Sequence, residues 1–150
     1  GVDRAALARE VGDAGQVSDE PLPRLLERLD LALVCSGTAS LEATLAGVPH
    51  AIAYRTSGFN YAVARPLVKV NHIGLANLIL GRAAVPELVQ DHASPAHLAN
   101  ALLGLLSQAR RREAFYADCE RVRQACGPAG VWGRAADAVL DLVAERRARG

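Results

Sequence analysis

Residues 31–54 constrain this chain most. An uninterrupted apolar run, Leu31 to Cys35, leads straight into Ser36-Gly37-Thr38, and a stretch rich in alanine and leucine follows from Ala39 to Ala46. Gly47 closes that stretch, Pro49 prevents a helix from continuing, and a second apolar run spans His50 to Tyr54. Short apolar runs bounded by turn signals read as strands buried on both faces. Strand, helix, strand at this spacing is a βαβ unit, with parallel strands and a right-handed crossover. The expected class is therefore α/β: a Rossmann-like parallel sheet flanked by helices, with a helical C-terminal third.

The flanking segments fill in that outline. Val2 to Val11 reads as a short amphipathic helix or the tail of one, Gly12 to Gly15 as a turn, and Gln16 to Ser18 as a strand stub. Pro21 to Leu29 places Leu22, Leu25, Leu26 and Leu29 on one helical face. Residues 55–92 parse less clearly, with a helix expected over Tyr61 to Leu67 and a short strand within Val68 to Ile73. Beyond Pro95, His97, Leu98, Ala101, Leu102 and Leu105 keep a helical period. A charged helix continues over Gln108 to Gln124, Gly127-Pro128 and Gly130 break it, and Val131 to Arg147 forms the last helix. The 150 residues contain no internal repeat and no low-complexity linker, so they read as one α/β domain.

Composition removes several function classes. Seventeen basic residues, Lys69 being the only lysine, balance sixteen acidic ones for a net charge of +1. That balance argues against nucleic acid as a partner, because tracking phosphates requires a basic excess. Cys35, Cys119 and Cys126 lack the close pairs of a zinc site, and on one helix the last two would lie roughly 10 Å apart, too far for a disulfide. Buried or idle thiols in a reducing cytoplasm are the expectation. His50, His72, His92 and His97 show no metal spacing, so neither metal nor cofactor is expected. No apolar run reaches about 20 residues, and neither a signal peptide nor a membrane span is expected. The sequence has no methionine, even at position 1, which suggests a piece of a longer protein.

The turn after Leu31–Cys35 carries the clearest chemistry. Amides at a helix start point outward, and the helix dipole favours an anion there. Gly37 lets a phosphate approach the backbone, and Ser36 and Thr38 add hydroxyls. Such turns lie at the carboxyl ends of strands, where α/β sheets bind ligands. Equally, a Ser or Thr there can serve only as a helix cap. Glu42, one turn on, suits the two hydroxyls of a ribose, or merely complements the helix dipole. Arg65 and Lys69 flank Leu67, Val68 and Val70, a patch compatible with an anionic lipid surface or with an ordinary helix-to-strand junction.

The order Ser-Gly-Thr-Ala-Ser-Leu-Glu (36–42), Gly-Val-Pro (47–49), Tyr-Arg (54–55), Leu-Val-Lys-Val (67–70), Leu-Ala-Asn-Leu-Ile-Leu-Gly-Arg (75–82) and Val-Pro-Glu-Leu-Val-Gln (85–90) resembles the lipid-A-disaccharide synthase family. The likeness covers roughly Pro21 to Leu106. It implies a GT-B fold, of which this would be the C-terminal, donor-binding half. It implies metal-free transfer of diacylglucosamine from UDP to diacylglucosamine 1-phosphate, with inversion. By motif position, Ser36, Gly37 and Thr38 would face the diphosphate and Glu42 the ribose. Asn77, Gly81, Arg82, Glu87 and Gln90 fall in blocks on the donor side. Arg55 or Arg82 would stabilise charge on the departing diphosphate. Implied partners are a UDP-sugar donor and a lipid-linked acceptor held by a missing domain that also carries the general base. The resemblance also implies a place on the cytoplasmic side, with peripheral contact to the inner membrane, and is compatible with a homo-oligomer.

Two departures from the family pattern stand out. Ala76 replaces the usual proline before the asparagine, and no Gly-Ser-Arg loop occurs. This stretch alone would bind donor weakly and catalyse nothing. Two other readings share the phosphate-turn logic. One is a different GT-B enzyme, such as a UDP-N-acetylglucosamine 2-epimerase or a transferase with a non-lipid acceptor. The other is a non-catalytic phosphate-binding α/β module.

Overall fold

The structure, a computed structural model, describes residues 3–57 and 71–148. Three parallel strands, β1 (Ala32–Cys35), β2 (His50–Tyr54) and β3 (Glu87–Val89), form one sheet in that order. Cys35 pairs with Ala53, Ile52 with Glu87, and Tyr54 with Val89. The helices are, in chain order, α1 (Arg4–Val11), α2 (Leu22–Leu26), α3 (Thr38–Ala46), α4 (Leu75–Leu80), α5 (Pro95–Ser107), α6 (Ala109–Cys126) and α7 (Val131–Ala148), with 3-10 turns at Gly12–Ala14 and Gln90–His92. The class is the α/β, Rossmann-like one expected, and its last third is helical.

Two apolar clusters hold the sheet to its helices. Ile52, Ala76, Val85, Phe115, Cys119 and Val122 form the larger, and Leu26, Ala43 and Val48 the smaller; Val34 packs against both. Helix α6 buries Phe115, Asp118, Cys119 and Val122, whose 3–4 residue spacing aligns them on one stripe facing the core. Helix α3 presents small buried residues, Ser40, Ala43 and Thr44, so it lies close to the strands. Burying Ile52 completely, at 0% exposure, contributes about 2 kcal/mol by its apolar area alone.

Several expectations need correction. β1 is not buried on both faces: Leu33 is 46% exposed while Val34 packs inward, and among the described residues the strand stands at one edge of the sheet. Gln16 to Ser18 forms no strand, because no neighbouring strand offers it a ladder and Val17 is its only apolar residue. Helix α2 is shorter than Pro21–Leu29, closing at Leu26 with turn bonds through Leu29. Helices α5 and α6 are separate: Gln108 is extended (φ −104°, ψ 100°), and the Arg112 guanidinium satisfies the Leu106 carbonyl that the break leaves open. Helix α1 forms as expected, capped by Asp3, but buries nothing. The helix expected at Tyr61 to Leu67 and the patch from Arg65 to Val70 lie outside the described residues. Of the strand expected within Val68 to Ile73, residues 71–73 have no strand geometry, and the rest lies outside.

Candidate donor-binding site

The end of β1 delivers Ser36 to the carboxyl edge of the sheet, one residue beyond the Cys35–Ala53 pair. Gly37 is the N-cap of α3 at φ 145°, a conformation side chains rarely adopt, and a Cβ there would meet no atom within 4 Å. No side chain caps α3, so its first amides are left without a side-chain acceptor. The turn is held from beneath. The Ser36 hydroxyl donates to the Ile73 carbonyl at 3.0 Å, and the buried Ser40 hydroxyl donates to the Gly37 carbonyl at 2.7 Å. Gly37 and Thr38 are exposed and Ser36 is half-buried. The result is an open, pre-shaped turn with helix-start amides and space above it.

Two further groups belong to this edge. Arg55 directly follows β2, is exposed, and makes no ion pair among the described residues. Glu42, half-buried one turn into α3, likewise has no ion-pair partner among them. Gln90 ties the edge together: its Oε1 accepts from the Thr56 amide (2.8 Å) and its Nε2 donates to the Thr56 carbonyl (3.1 Å). This side-chain amide extends the β2–β3 pairing by one rung beyond Tyr54 and Val89, while the Gln90 backbone turns away at φ 52°, a conformation costly for any residue but glycine.

The other candidate residues sit elsewhere. Asn77 is fully buried in α4, and Gly81 is the left-handed cap that ends that helix. Glu87 opens β3 and its carboxylate faces the start of α4, 2.9 Å from the Gly74 amide. Arg82 precedes β3, on the amino-terminal side of the sheet, and pairs with Asp118 of α6, which also takes Arg121 at 2.8 Å. A cleft of about 530 Å³ opens there, lined by His72, Arg82, Glu87, Phe115 and Asp118 among others. Ser36–Thr38, Glu42, Arg55 and Gln90 thus gather around one edge, and Arg82 is not among them.

The profile of the lipid-A-disaccharide synthetase family matches residues 18–132, more than half of the chain. This chain belongs to that family. It is 40% identical over 114 residues to the lipid-A-disaccharide synthase of Syntrophus aciditrophicus (strain SB), covering 76% of this chain and 30% of the relative. It is 33% identical over 143 residues to that of Syntrophotalea carbinolica (95% and 36%), and 44% over 114 residues to that of Anaeromyxobacter sp. (strain K) (76% and 30%). The chain spans about a third of the length of these curated relatives. As a lipid-A-disaccharide synthetase family member it carries the open turn, Asn77 and Glu87 inside the matched region.

Sequence reasoning missed Ile73 and Gly74, which connect the turn to Glu87; no local pattern marks them. Cys119 is a packing thiol, pushed up to about 11 by burial and so not a nucleophile at neutral pH. Among the described residues no His, Cys, Asp and Glu side chains gather into a metal-holding group, and no helix is long and apolar enough to cross a membrane.

Proposed function

We propose that this chain is the UDP-sugar-binding portion of a glycosyltransferase that moves diacylglucosamine from UDP to diacylglucosamine 1-phosphate in lipid A biosynthesis. The observation that carries the reading is the uncapped start of α3 behind an open glycine turn, in a chain of the lipid-A-disaccharide synthetase family. The diphosphate sits on the amides that follow Gly37, where the helix dipole adds attraction. Ser36 contributes its backbone, because its hydroxyl proton is committed to Ile73. Thr38 keeps a hydroxyl for a phosphate oxygen, and Glu42 accepts from the ribose hydroxyls. Arg55 supplies a guanidinium as charge grows on the leaving diphosphate, the point at which fixed donors stabilise most.

Inversion needs a single displacement by the acceptor hydroxyl, with a general base to take its proton. On this reading the base and the lipid-linked acceptor belong to the remainder of the protein, facing this edge across a GT-B cleft at the cytoplasmic membrane surface. The stretch described here binds donor and alone turns over nothing.

Calorimetric titration of the full-length protein with UDP tests the assignment. Glu42→Ala is expected to weaken UDP about tenfold, the scale of hydrogen bonds to a charged group. Unchanged affinity in that variant would remove Glu42 from the site, and failure of the unaltered protein to bind UDP would sink the reading as a whole.

A further inference from the structure

Four hydrogen bonds exhaust the side-chain amide of Asn77. Its Nδ2 donates to the Val85 carbonyl (2.8 Å) and to Glu87 Oε1 (2.7 Å), while Oδ1 accepts from the amides of Ala84 and Val85, both at 2.8 Å. A primary amide has two N–H bonds and two lone pairs. All four are used and the residue is 0% exposed, so nothing remains for a ligand. The Glu87 side chain, 13% exposed, accepts in turn from the amides of Ile73 (3.0 Å) and Gly74 (2.9 Å). Ile73 offers the carbonyl that takes the Ser36 hydroxyl. These contacts run in series: Asn77 to Glu87, Glu87 to Ile73 and Gly74, Ile73 to the turn. A side chain at position 74 would force its neighbours to shift, since a Cβ would stand 2.3 Å from Ile52 Cδ1 and 3.1 Å from Glu87 Oε1.

We propose that Asn77 and Glu87 are positioning residues, a buried amide–carboxylate pair that holds Ile73 and Gly74 against Ser36 and so fixes the phosphate turn without touching the donor. The inference rests on the donor-binding reading above. An anion cradle whose amides are already in place loses less freedom on binding than one that must be ordered by its ligand. The pair therefore acts on the phosphate part of the donor and leaves the nucleoside part alone.

The test uses the full-length protein with UDP, and with uridine as a competitor lacking phosphates. Glu87→Gln and Asn77→Ala should each weaken UDP about tenfold and leave uridine unaffected. Because Ser36 stands last in the series, Ser36→Ala combined with Glu87→Gln should lose little more than Glu87→Gln alone. Additive losses, undiminished UDP affinity, or a matching loss of uridine would overturn the proposal. Should circular dichroism show Glu87→Gln unfolded, Ser36→Ala decides by the same comparison: a loss confined to UDP supports the linkage, and no loss defeats it. A ligand-free measurement separates this claim from the reading beneath it. Amide exchange across residues 36–40 should quicken in Glu87→Gln, or in Ser36→Ala where that variant stands in; unchanged exchange overturns the positioning role even in a protein that fails to bind UDP.

Discussion

His50 sits wholly inside the core, its ring edge-on to Phe115 with centroids 5.6 Å apart. Nδ1 donates to the Val48 carbonyl at 2.8 Å, which leaves Nε2 as a buried atom without a partner among the described residues. Burial holds the imidazole below its ordinary 6.5, against a smaller upward pull from the Val48 carbonyl. The unfolded chain then takes up a proton that the folded one refuses, so stability is complete above 6.5 and falls as pH drops from there through the folded value. The urea midpoint should be lower at about pH 5 than at about pH 7.5, and equal midpoints would remove this linkage. His50→Leu is expected to be weaker at neutral pH, because the Val48 carbonyl loses its donor, yet to lack His50's contribution to the slope. At the same scale, the sequence could nominate Asn77 and Glu87 but not say what they touch. Their partners lie seven to fourteen residues away, and only the folded path from α4 to β3 brings them together.

Helix α6 is fixed to the rest of the fold by polar contacts as well as by its apolar stripe. Asp118 receives Arg82 from the α4–β3 loop, and Arg123 donates to the Leu45 carbonyl at the end of α3 (3.0 Å). Both guanidiniums on Asp118 are about half exposed, so solvent weakens each pair. Asp118→Ala should nevertheless cost about 1–2 kcal/mol in chemical denaturation, more than Arg121→Ala, because it frees the loop as well as the helix. Equal losses in the two variants would show that the loop contact contributes nothing. At this scale β1, α3 and β2 were legible because their apolar runs are uninterrupted and glycine and proline punctuate them. Helix α4 and strand β3 were not: six continuous apolar and amide residues show no period, and three residues are too few for alternation. The α5–α6 break was hidden for a different reason: no glycine or proline marks Gln108.

On the scale of the molecule, the three-stranded sheet separates two edges with different tasks. The carboxyl edge gathers the open turn, Glu42 and Arg55, while the amino edge holds His50 and the Arg82–Asp118 pair. The class and the turn could be read from sequence because both follow from a local strand–turn–helix pattern. Arg82 could not be placed: the Gly81–Arg82 step has the composition of a ligand loop, and its partner Asp118 lies thirty-six residues downstream. Helix α7 stands apart from both edges. None of its described side chains is buried, and Leu140 and Leu142 are each about two-thirds exposed.

The single tryptophan of the chain, Trp132, is 86% exposed near the start of α7. Indole emission in this stretch is therefore expected to resemble that of tryptophan in water, and to change little when the sheet and its clusters melt. Optical melting curves taken at that wavelength would under-report unfolding here, whereas far-ultraviolet dichroism would follow it. The same isolation makes the residue a clean beacon: a blue shift on adding any other molecule, with dichroism unchanged, would report cover arriving over the last helix and nothing else.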